Sequence, residues 1–187
     1  GLLARERPLL LHVDDAQRSD GESLDLLTRL VGDPVKPRAL LLQPAVADLG
    51  FAHFYKGNFK EAAQALSRAV DLDGGAYPMI FRYIARTRLG EPAKEELARD
   101  ARELPDQAVW PLPVIEMFLG TRQPAATLES AHTNEEKCEA NFYVGQWYLL
   151  EKDEALALRH LQTAAKVCPR TFIERRAANA ELKAMGK

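Results

Sequence analysis

The chain has 187 residues, 47% hydrophobic and 28% charged, enough for one globular core or a core plus a fragment. A formal net charge of -2 supplies no global basic field, so nucleic acid and anionic lipid are not expected as partners. No apolar run approaches the roughly 18 residues that a membrane-spanning helix needs. The first residue is Gly1 rather than Met, which reads as a processing or tag scar and leaves open a removed signal peptide or lipid anchor.

Residues 1–43 stand apart from the rest. The stretch "RPLLLHVDDAQRSDGESLDLLTRL" resembles the Walker B strand and following helix of large signalling ATPases, which deliver paired acids, here Asp14 and Asp15, to a metal–nucleotide. "KPRALLLQP" supplies a candidate second parallel strand and hence a small βαβ unit. The phosphate-binding pattern G-x-x-x-x-G-K-[ST] does not occur in the chain, and two carboxylates alone cannot hold a nucleotide. No nucleotide and no cofactor are expected.

From residue 44 to 187 the period is helical. Setting Gly50 as position 8 of a repeat of about 34 residues, the length of a tetratricopeptide unit, puts Leu49 at 7, Ala62 at 20, Leu66 at 24 and Ala69 at 27. Small residues at Gly50 and Ala62 would let two antiparallel helices approach closely. Gly57 would end the first of them in a left-handed conformation. Pro44 falls at that helix's start, where a missing N–H costs nothing. The next segment, "YPMIFRYIARTRLGEPAKEELARDARELP", keeps an apolar stripe at Ile80, Ile84 and Leu97 but departs from the motif at Tyr83 and Arg86. It reads as a diverged hairpin split at Gly90-Glu91-Pro92. Trp110 to Leu119 and Pro124 to Ala131 read as a further pair of short helices.

The register returns at Gly145. With that glycine at position 8, Val144, Tyr148, Ala157, Leu161, Ala164 and Pro169 each match the size class the motif requires; only Asn141, where a large apolar side chain is usual, departs. Thr133 with Glu136 three residues on is a capping box, and Glu151, Lys152 and Asp153 form the polar break between helices. The tail "FIERRAANAELKAMG" reads as a capping helix with Ile173, Ala177 and Leu182 or Ala184 inward and its charges outward. The fold class is therefore mainly α, a short superhelical array of tetratricopeptide-like hairpins.

The runs "WPLPVIEMFLG", "CEANFYVGQWYLL" and "CPRTFIERRAANAEL" are similar to the carboxyl-terminal half of NlpI-type tetratricopeptide lipoproteins of bacterial envelopes, a resemblance covering roughly residues 44 to 185. It implies a non-enzymatic adaptor that docks other envelope proteins in the periplasm. No lipobox cysteine is present, so a membrane link would run through a missing lipid anchor. The reading from another class is a regulatory repeat fragment of a cytoplasmic signalling ATPase.

In such arrays the first helix of each unit lines a concave face. Here that assigns Phe51, Phe54 and Tyr55 from one unit and Phe142, Gln146, Leu149 and Leu150 from another, side chains suited to a helix or an extended peptide. The alternative is that neighbouring helices cover them as ordinary core. Cys138 and Cys168 fall at facing ends of one hairpin, where they either form a disulfide or sit as two small buried residues. With His12, His53, His132 and His160 they lack the ligand spacing of a metal site, and no nucleophile–base pattern occurs. His53 reads as a packing residue and His160 as a surface one. Glu95-Glu96 and "NEEKCE" read as solvated helix faces. Arg170, Arg175, Arg176 and Lys183 make a basic tail.

Overall fold

A computed structural model of the chain describes residues 43–73, 75–104 and 109–187. The Walker B-like segment with Asp14 and Asp15, the candidate βαβ unit and His12 lie outside these residues. The described residues are mainly helical, with no strand among them. Helices α1 (Gln43–Tyr55) and α2 (Phe59–Asp73) form one hairpin, α3 (Ala76–Arg88) and α4 (Lys94–Ala101) a second. Helices α5 (Leu112–Leu119) and α6 (Pro124–Glu129) make a short third pair, and α7 (Asn134–Leu150) and α8 (Glu154–Val167) a long fourth. The last helix is α9 (Ile173–Ala184). The start at Gln43 moves the expected boundary by one residue and leaves Pro44 in the first turn.

All four turns between paired helices share one backbone solution. Gly57, Gly90, Gly120 and Lys152 take φ of 75°, 77°, 79° and 63°, the left-handed region. In each, the following N–H reaches back over the helix end: Asn58 N to His53 O at 3.0 Å, Glu91 N to Arg86 O at 3.0 Å, Thr121 N to Glu116 O at 2.9 Å, Asp153 N to Tyr148 O at 2.9 Å. These bonds satisfy carbonyls that a helix end leaves orphaned. The start of α7 carries the expected capping box: Glu136 N donates to Thr133 Oγ1 at 3.1 Å, and the Glu136 carboxylate accepts from Thr133 N at 3.0 Å.

Each helix packs on its chain neighbours, and α1, α3 and α7 also meet one another or one another's partners across the interior. The centre is aromatic. Phe81 of α3 meets Phe51 and Phe54 of α1 edge-on at 4.9 Å each and stacks on Phe142 of α7 at 5.6 Å. Such pairs contribute about 0.5–1.5 kcal/mol each beyond the area they bury. The C-terminal helix α9 packs on α8, α7 and α1, so the two ends of the described chain come together.

The Cys138 and Cys168 sulfurs are joined in a disulfide, with Cα atoms 5.0 Å apart and both residues buried. It ties the fifth residue of α7 to the C-cap of α8. Arg82, also buried, pairs with Asp100 and with Glu96 at 3.5 Å, tying α3 to α4. Glu96 thus sits in an ion-pair network instead of on a solvated face, and Arg86 joins it at 3.2 Å.

Candidate functional site

The inner side of α7 carries a polar stripe, Glu139, Tyr143 and Gln146, spaced by one helical turn at each step. All three are buried. At one end the Glu139 carboxylate accepts from Trp110 Nε1 at 2.7 Å and from the Tyr77 hydroxyl at 2.9 Å. Burial pushes the Glu139 carboxyl up, and the bonds from Trp110 and Tyr77 oppose that shift. In the middle the Tyr143 hydroxyl donates to Glu174 Oε1 of α9 at 2.7 Å. At the other end Gln146 Nε2 donates to Glu181 Oε1 at 3.1 Å, and Arg88, the last residue of α3, donates to the same oxygen at 2.9 Å.

Glu174 is the most enclosed carboxyl of the set, 2% exposed. Burial pushes it up to about 7; the charge of Glu139 adds to the shift, and the bond from Tyr143 works against it. Its surroundings raise other acids too. Burial drives Tyr143 and Tyr77 well above the ordinary phenol range, with the Glu139 and Glu174 charges adding to it. On α1, burial raises Asp48 against the pull of Arg176, and raises Tyr55, which the Glu174 charge pushes further. Among the described residues the buried Tyr55 hydroxyl has no hydrogen-bond partner.

Several expectations change in this light. Phe51 and Phe54 belong to the aromatic centre, and Phe142 and Gln146 are fully enclosed, so these four do not line an open groove. Tyr55, Leu149 and Leu150 are half-buried and pack against the core. Spacing assigned these residues to the inward face of their helices; it could not show that Phe81 and α9 fill the space in front of them. The tail helix is also turned: Glu174 and Glu181 face inward with Ala177 and Ala178, while Ala184 is exposed. The final glutamate of "NEEKCE", Glu139, is buried for the same reason, having hydrogen-bond donors waiting inside.

Two further residues are resolved by their partners. His160 is half-buried, not a free surface residue: its ring stacks on Tyr148 at 5.7 Å, and its Nδ1 lies 3.1 Å from Asn141 Oδ1. That pairing explains a polar Asn141 at a position where an apolar side chain was expected. His53 is buried as a packing residue, and burial lowers it. Tyr77 and Arg88 go unmarked in the sequence, Trp110 is marked only as the start of a short helix, and Glu174 and Glu181 read as outward charges. The helical period did hold a signal for two of them, since Glu174 and Glu181 flank Ala177 and Ala178 on one face.

Among the described residues no group of three or more His, Cys, Asp or Glu side chains is arranged to hold a metal, and no helix is long and apolar enough to cross a membrane. Chemically, Tyr143 and Gln146 of the stripe, with Arg88 of α3 beside them, offer hydroxyl, amide and guanidinium donors to carboxylates on a helix laid against them. A scan against known protein-family models finds no match for the chain.

Proposed function

We propose that this chain is a non-enzymatic protein-interaction adaptor built from tetratricopeptide-like hairpins. The observation that carries the reading is the inner face of α3 and α7, which holds a helix through Arg88, Tyr143 and Gln146. Tyr55, Arg88 and Leu150 follow Gly50, Tyr83 and Gly145 at one interval, five residues, as repeat units would place them. Helix-in-groove docking is a common use of such a surface. The Cys138–Cys168 disulfide supports an oxidising compartment such as a bacterial periplasm, in keeping with the NlpI-like resemblance.

The test is capture from a bacterial envelope extract on immobilised chain, read by mass spectrometry, beside a Gln146→Ala chain whose melting is checked. The expected result is a discrete protein retained by the native chain and reduced by Gln146→Ala. Retention no greater than on an unrelated helical protein would retire the reading.

A further inference from the structure

A helix that merely caps the end of an array hides its apolar side and leaves its charges in water. Helix α9 does the reverse with two of them. Glu174 and Glu181 lie two turns apart on its buried side, about 10 Å along the axis at 1.5 Å per residue. Between them Ala177 and Ala178 are fully enclosed, which brings the α9 backbone close to its support. Each carboxylate meets a dedicated donor set on the earlier helices: Tyr143 for Glu174, Arg88 with Gln146 for Glu181. An unpaired buried carboxylate is costly, and both α9 carboxylates find donors that the earlier helices hold in place, as a ligand's would on a receptor.

We propose that α9 is an intramolecular placeholder, and that the face beneath it docks a partner's acidic helix bearing two carboxylates seven residues apart with small residues between. The partner displaces α9. The identity of the occupant rests on the adaptor reading; the placeholder role of α9 does not. Competition from a tethered helix lowers a partner's apparent affinity by the fraction of time that the face is vacant. A better occupant has room to exist, because α9 leaves the Tyr55 hydroxyl at its α1 seam without an acceptor among the described residues.

The probe is a fluorescent peptide of residues 172–187, followed by anisotropy against the full chain and against the full chain carrying Ala178→Glu. That substitution puts a charge into the enclosed side of α9 and evicts it, leaving the receiving face untouched. The evicted chain is expected to bind the peptide at least tenfold tighter than the native chain. A peptide carrying Glu181→Ala, which loses the acceptor of Arg88 and Gln146, should lose at least tenfold. Equal binding by the two chains, or equal binding of the two peptides, overturns the proposal. If Ala178→Glu does not fold, the milder Glu181→Ala chain, which keeps Arg88 and Gln146 in place, takes its role: the same tenfold gain is expected, and equal binding overturns the proposal there too. Peptide exchange without envelope capture would retire the adaptor reading alone, and capture without peptide exchange would retire the placeholder alone.

Discussion

Gly145 of α7 and Leu161 of α8 stand so close that a methyl group has no room between them. A Cβ built on Gly145 would lie 2.9 Å from Leu161 Cγ and 3.2 Å from the Leu161 backbone nitrogen. The same relationship recurs between Gly50 and Leu66, at 2.6 Å and 3.2 Å, with the leucine sixteen positions after the glycine in both cases. Gly145→Ala is therefore expected to destabilise the chain by about 1–3 kcal/mol, the range for overpacking a close helix contact, despite alanine's better helix propensity. Urea unfolding measures it. A stabilised Gly145→Ala chain would mean that α7 and α8 are not held at this separation.

How far the fold could be read ahead follows from that contact. Both closely packed hairpins were legible because a close approach demands small residues at fixed spacing, and Gly50, Ala62, Gly145 and Ala157 satisfy it. The left-handed Gly57 and the Thr133 capping box were legible because each is a local rule. The candidate site was not. Which side chains cover a helix face depends on contacts as distant in sequence as Arg88 with Glu181, and no local period encodes those. The charged residues of α9 misled for a related reason: glutamate is usually solvated, and only the donors on α3 and α7 reverse that preference.

Lys152 occupies in the α7–α8 turn the place that Gly57 holds in the α1–α2 turn, with φ of 63°. A side chain in the left-handed region costs roughly 1–2 kcal/mol, and glycine's greater freedom in the unfolded chain offsets part of that gain. Lys152→Gly is expected to raise stability by about 0.5–1 kcal/mol, visible as a higher urea midpoint at unchanged slope. The reverse change, Gly57→Lys, should lower it by a similar amount.

The Cys138–Cys168 bridge closes a loop with a sequence separation of 30, pinning α7 and α8 at their facing ends. Chain-entropy reasoning gives about 3–4 kcal/mol for a loop of that length. Replacing both cysteines by alanine should lower the melting temperature by several degrees, with an added cost from the two small voids left in the core. Peptide mass mapping of the oxidised native chain should recover the two cysteine peptides linked. Two free thiols under oxidising conditions would remove the bridge and the support it lends to an oxidising compartment.

The response to pH follows from Glu174. Its carboxyl is raised from 4.5 to about 7 in the folded chain by burial, so between those values the folded state holds a proton that the unfolded chain has released. Stability from this group is therefore full below pH 4.5 and lost as the pH climbs through about 7, by about 3 kcal/mol at 1.36 kcal/mol per unit. Glu139 and Asp48, raised by burial, act in the same sense. His53 and His160, lowered by burial, act in the opposite one, losing stability as the pH falls below 6.5. A bare stability curve mixes these contributions, so the informative quantity is the difference between the native chain and Glu174→Gln. Glutamine keeps an oxygen that can accept from the Tyr143 hydroxyl and has no proton to lose. The difference should be small at pH 5 and grow in favour of Glu174→Gln up to pH 8, measured by urea unfolding at each pH. A pH-independent difference would mean that Glu174 ionises in the fold much as it does in water.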